Sequence, residues 1–123
     1  MIRQVLFVAI GSALGGVARF LVGRGIYAIA PTRFPLPTLL INVLGCFLIG
    51  WLYATDRDGR WLNPDNRLLL TTGLCGGFTT FSAFSYENIM LMKQGQYSMM
   101  LLYMTASIVL SILAAWLGMT IVK

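Results

Sequence analysis

The residues with most capacity for chemistry are few and polar, and they are set among long apolar runs. Arg19 lies well inside the first run, Asn42 about five residues into the second, and Ser107 and Ser111 sit one helical turn apart in the last. The densest set is the stretch Thr71-Thr72-Gly73-Leu74-Cys75-Gly76-Gly77-Phe78-Thr79-Thr80-Phe81-Ser82-Ala83-Phe84-Ser85, followed by Glu87. Polar groups at that depth are expensive, so those that persist mark ion paths or helix contacts. The chemistry they offer is ion handling. Histidine is absent, no Ser-Lys or Cys-His pair presents itself, and no cluster of carboxylates forms, so neither acid–base, nucleophilic nor metal catalysis has its parts. The chain is not expected to be an enzyme. Cys46 and Cys75 fall inside apolar runs without His partners, which fits neither a disulfide framework nor a zinc site and gives both a packing role.

Each polar residue carries a bland reading beside a sharper one. Arg19 either snorkels to the far interface, as Arg24 one turn later would, or faces a water-filled vestibule and attracts anions. Asn42, whose amide brings two donors and an acceptor, either bonds a neighbouring helix or lines a pore. Gly76 and Gly77, with hydroxyls around them, argue against a continuous third helix, although glycines also serve close packing. A helix broken at depth frees carbonyls and amide N–H groups that protein, water or ions must satisfy, and interrupted helices are a recurring way of building ion sites. Phe81 and Phe84 are three apart and share a helical face. They pack against lipid or core, or they turn their positive ring edges toward an anion. Glu87, one turn on, either bonds across a helix interface or sits near the water boundary.

The elements that must hold these residues follow from solvent. Of 123 residues 58% are hydrophobic and 11% charged, against about one quarter charged in soluble domains. A water-soluble fold of this size cannot hide that much apolar surface. Four segments reach spanning length, expected at residues 2–27, 37–55, 67–92 and 97–122. They form one all-α domain over residues 1–123, with the third helix broken near the midplane. The first run is longer than a signal-peptide core and lacks a small-residue cleavage site, so a retained helix is expected. Pro31 and Pro35 interrupt the first connection, the polar stretch 56–66 forms the second, and Gly95 marks a tight third turn. The nine basic residues sit mostly at the ends of apolar runs, not in a stripe that could follow a phosphate backbone, so nucleic acid is not a partner and membrane lipid is. Arg3, Arg57, Arg60, Arg67 and Lys123 fall on one side, Arg24, Arg33 and Lys93 on the other, with Arg19 unassigned. So weak a bias allows insertion in both orientations. Small residues recur at spacings that let helices approach: Gly11 with Gly15, Gly73 with Gly77, Ser107 with Ser111 and Ala115, and Ala114 with Gly118.

The run Gly73-Leu74-Cys75-Gly76-Gly77-Phe78-Thr79-Thr80-Phe81-Ser82-x-Phe84-Ser85-x-Glu87 closely resembles the signature of the Fluc (CrcB-like) fluoride channels. The resemblance extends to Gly11–Arg19, to Pro37-Thr38-Leu39-Leu40-Ile41-Asn42 and to the chain length. It implies a dual-topology homodimer of antiparallel subunits in the prokaryotic plasma or inner membrane, with two fluoride pores that export fluoride passively and protect against its toxicity. It also implies a structural sodium ion at the dimer centre, held by backbone carbonyls that here belong to Gly76 and Thr79. By the same resemblance Phe81 and Phe84 line the pores with Asn42, Arg19 guards the vestibule, and Ser82, Ser107 and Ser111 belong to the permeation path. Ala83 departs from a threonine frequent in the family, which leaves that part of the polar track to Ser82 and Ser85. Two rivals remain: a small multidrug-type proton-coupled transporter, weakened because residues 2–27 hold no Asp or Glu, and a non-conducting accessory subunit.

Overall fold

The computed structural model describes residues 1–56 and 63–121. Its elements are α1 (Ile2–Ile29), α2 (Leu36–Thr55), α3 (Pro64–Leu68), a π-helical stretch (Leu69–Cys75), α4 (Gly76–Phe78), α5 (Ser82–Lys93) and α6 (Tyr97–Thr120). The α3-to-α5 run counts as one apolar span, so four helical segments are long and apolar enough to cross a bilayer. Arg57, Arg60 and Lys123, which entered the charge balance, lie outside the described residues, as does Val122 at the expected end of the last helix.

Local chemistry sets most of the boundaries. Before α2, Pro35 stands at the cap, and Pro37 occupies the first turn where its missing N–H costs nothing. The third segment begins at Pro64, three residues before the expected Arg67. Asn63 accepts the Asn66 N–H at 2.8 Å as an N-cap, Pro64 fits the first position, and Asp65 and Arg67 complement the helix ends. At the other end Gly95 adopts φ +74°, with Gln96 N–H donating to Leu91 O at 2.9 Å and Gly95 N–H to Met92 O at 3.1 Å. That left-handed cap ends α5 and turns the chain tightly into α6.

Two seams of small residues hold the bundle. A Cβ on Gly11 or Gly15 of α1 would strike the backbone of Leu69 or Leu74, and one on Gly73 or Gly77 would strike Gly11 or Ser12. In the second seam Gly50 of α2 meets the Ala115 backbone, and Gly118 of α6 meets Phe47 and Trp51. Lipid supplies no hydrophobic drive between helices, so backbone-to-backbone contact of this kind is what joins them. Between α2, α5 and α6 a core of Leu39, Phe84, Leu91 and Tyr103 fills the remaining space, with Phe34 set edge-on to Tyr103. At the far end Arg67 pairs with the fully buried Asp56 at 3.3 Å and lies over the Tyr53 ring, while Arg3 pairs with Asp65 at 2.7 Å. These contacts tie the start of α1 and the end of α2 to the start of the third segment.

Candidate functional site

The third segment loses helical geometry between α4 and α5, where Thr79 is extended (φ −84°, ψ 159°). The glycine pair is not where this happens: Gly76 and Gly77 are helical, and Gly77 is kept small by Ser12 of α1. The non-helical residues are Thr79, Thr80 and Phe81.

Side chains take over the backbone groups released there. Asn42 of α2 donates its Nδ2–H to Thr80 O at 3.0 Å and accepts the Thr80 N–H on Oδ1 at 2.9 Å. Thr80 Oγ1, one residue before the Phe81 cap of α5, accepts the first-turn Ala83 N–H at 3.2 Å and lies 3.2 Å from Ser82 Oγ. Both diversions have a consequence upstream. In a continuous helix the Thr80 N–H would bond the Gly76 carbonyl and the Ala83 N–H would bond the Thr79 carbonyl. With those amides engaged elsewhere, the carbonyls of Gly76 and Thr79 are without their usual helical donors. Gly77 O accepts Arg19 Nε–H at 3.3 Å, which brings the guanidinium of α1 to the same few residues.

Two cavities flank Thr80, which lines both. The larger, 640 Å³, is walled by Arg19, Arg24, Tyr27, Thr38 and Ala83 as well as Thr80. Arg24 lies over the Phe20 ring, 5.7 Å from its centre. The smaller, 250 Å³, takes Asn42 and Cys46 from α2, Phe81 and Phe84 from α5 and its cap, and Ser107 and Ser111 from α6. Phe81 and Phe84 stand with ring centres 5.5 Å apart; on the single chain Phe81 is 77% exposed and Phe84 is 9% exposed. Ser107 is buried, and its Oγ has no hydrogen-bond partner among the described residues.

Most of the residues singled out in the sequence therefore converge. Arg19 lines the larger cavity, whereas Asn42, Phe81, Phe84, Ser107 and Ser111 line the smaller. Ser82 is exposed on the chain and reaches Thr80 without lining either cavity. Glu87 is held across the bundle, its two oxygens accepting from Thr38 Oγ1 at 2.8 Å and from Tyr103 Oη at 2.7 Å. Thr38, Thr80, Cys46 and Tyr103 had not been assigned site roles from sequence. Thr80 carried the clearest signal, as a hydroxyl three residues before the Ala83 amide of a new helix. No group of three or more His, Cys, Asp or Glu suited to a metal occurs among the described residues. Backbone carbonyls remain as hard oxygen donors.

Residues 6–119 match the family model described as CrcB-like protein, Camphor Resistance (CrcB). A protein of Acidobacterium capsulatum named fluoride-specific ion channel FluC is 49% identical, over 96% of this chain and 94% of its own length. Proteins of the same name from Methylobacillus flagellatus and Rhizobium meliloti are 44% and 42% identical, each over 98% of this chain and over 94% and 97% of their own.

Proposed function

The chain belongs to the CrcB-like family, and we propose on that premise that it is a fluoride-specific ion channel. It is a multi-pass membrane protein and not an enzyme. Fluoride leaves the cell passively through it, across the prokaryotic plasma or inner membrane, and the cell is thereby protected from fluoride toxicity. The observation that carries this reading is the helix interruption at residues 79–81, with Asn42 on the Thr80 backbone and a cavity on either side.

Fluoride is strongly hydrated, so a path for it must replace water with many modest dipoles and never with one tight site. Arg19 and Arg24 raise the local anion concentration in the larger cavity. Asn42 spends one N–H on Thr80 and keeps the second. The Ser107 hydroxyl, the Ser111 hydroxyl and the ring edges of Phe81 and Phe84 continue the path, each a weak partner that an anion can leave. Ser82 contributes by orienting the Thr80 hydroxyl.

The working unit is an antiparallel dual-topology homodimer with two pores. Support comes from the weak bias of the basic residues, five on one side against three on the other with Arg19 unassigned, and from Phe81, a pore residue left largely uncovered on the single chain. A structural sodium ion belongs at the dimer axis. Gly76 and Thr79 fit it in chemistry, since their carbonyls are hard oxygen donors whose helical amides are engaged by Asn42 and Thr80. When bound, the ion neutralises those carbonyl dipoles and fixes the interruption.

Fluoride efflux from liposomes carrying the purified protein, with chloride-loaded vesicles as control, tests the reading. A channel releases fluoride without an imposed proton gradient and retains chloride. Efflux only with a proton gradient would instead mark a coupled transporter, and no flux from folded protein an accessory subunit.

A further inference from the structure

The two ends of the bundle differ in how their cations are answered. At one end Arg3 pairs with Asp65 and Arg67 with Asp56. At the other, Arg24, Arg33 and Lys93 have no carboxylate partner among the described residues. Two cavities share Arg33 and Gln94 at that end. One, of 510 Å³, is lined by Arg33, Gln94 and Gln96; the other, of 290 Å³, has apolar walls from Phe34, Pro35, Tyr86, Met90 and Leu91. Glu87 also lines the second, but its two oxygens accept from Thr38 and Tyr103. Both cavities lie where the connection from α1 to α2 meets the end of α5 and the start of α6, and Tyr27, Tyr86 and Tyr97 are exposed there. Tyrosines at the ends of apolar helices mark the headgroup level of a bilayer. An arginine that is merely solvated needs no such company. Here one guanidinium and two amides form a polar recess beside an apolar groove.

We infer that this pair of cavities is a binding site for a phospholipid of net negative charge. The inference needs the chain to span a membrane and does not depend on which ion the protein passes. The Arg33 guanidinium takes the lipid phosphate with paired N–H donors. Gln94 and Gln96 offer amide donors to the phosphate and amide oxygens to headgroup hydroxyls such as those of phosphatidylglycerol. The lipid glycerol and the first carbons of an acyl chain lie against Phe34, Tyr86 and Met90. Phosphatidylcholine suits the recess less well, because its own ammonium competes with Arg33 for the phosphate and it carries no headgroup hydroxyl. Lys93 adds to the positive field of this end but lines neither cavity.

The test titrates the purified full chain in detergent with phosphatidylglycerol or phosphatidylcholine and reads bound lipid by native mass spectrometry. Phosphatidylglycerol should bind about tenfold more tightly than phosphatidylcholine, and Arg33→Gln should remove about that whole advantage, as expected for losing a charge-assisted contact. Arg33→Lys keeps the charge without the fork and should fall between. Lys93→Gln removes the same charge outside both cavities and should change affinity by about twofold or less, since its contribution is long-range and screened. Arg33 is exposed, so its variants should elute from size exclusion as the unsubstituted chain does. The inference is overturned by equal binding of the two lipids, or by Arg33→Gln binding phosphatidylglycerol as before. It is overturned equally by Lys93→Gln losing as much as Arg33→Gln, which would mark a diffuse basic surface. Displacement of the lipid by millimolar inorganic phosphate would assign the recess to a soluble anion and overturn it too. No lipid on folded protein would mean that a second copy of the chain covers this face.

Discussion

Gly73 and Gly77 lie on the face of the third segment that meets α1, where backbone touches backbone and no side chain intervenes. Two residues after Gly77, the same segment abandons the helix, and its backbone is held by the side chains of Asn42 and Thr80 instead. The glycine seam excludes everything and is made of small residues. The interruption admits solvent-sized cavities on both sides and is made of amides, hydroxyls and ring edges. In lipid a close seam is a source of cohesion, while an interruption has to be satisfied group by group. The seam therefore supplies the rigidity that lets a non-helical stretch persist a few residues away.

Enlarging a seam glycine should break that relation most severely. Gly15→Leu drives a side chain into the Leu74 and Phe78 backbone, and a loss of about 3 kcal/mol or more is expected. Loss of the folded species by size-exclusion chromatography in detergent checks it. Next comes Asn42→Ala, which strands the Thr80 N–H and C=O. Cavity water recovers part of the loss, leaving a cost of about 2 kcal/mol in denaturation and a collapse of fluoride efflux. Asn42→Asp keeps the acceptor for the Thr80 N–H but sets a carboxylate oxygen against Thr80 O where the donor stood, so stability should fall and efflux should be lost as the charge repels the anion. Tyr103→Phe removes the hydroxyl that donates to Glu87 while the ring core remains, for about 1–2 kcal/mol in the same denaturation assay. The smallest effect belongs to Gly25→Ala, where a methyl meets open space. Stability there should be unchanged or up to about 1 kcal/mol higher, with ordinary efflux.

Hydropathy alone located four spans, because length and apolarity are summed properties that tolerate local error. The start of the third span was less legible. Pro64 reads as a loop residue until Asn63 is recognised as its cap, and then it reads as the first residue of a helix. The glycine pair and the hydroxyl run together pointed to this segment, and it is at the hydroxyls, Thr79 and Thr80, that helical geometry is lost, while Gly76 and Gly77 stay helical. Gly76 and Gly77 are helix breakers in water, but here Gly77 meets a close neighbour in α1, and the chain leaves the helix where hydroxyls can cap it. Asn42, Phe81, Phe84, Ser107 and Ser111 could be named in advance because each is unusual for its depth or belongs to the family-like motif. Tyr103 could not, since a tyrosine in an apolar helix is ordinary until Glu87 is known to lie 2.7 Å from its hydroxyl. Cys46 lines the smaller cavity while Cys75 is 3% exposed and does not, a difference that three helices make together and no single segment shows.

The central claim is that fluoride crosses at the interruption, against the rings beside Thr80. Efflux from liposomes carrying Phe81→Ile or Phe84→Ile, each shown to be folded, tests it most directly, because isoleucine keeps apolar bulk and removes the positive ring edge. Each substitution is expected to lower fluoride efflux sharply while the protein remains intact. Unchanged efflux in both variants would contradict it and move the path away from residues 79–84.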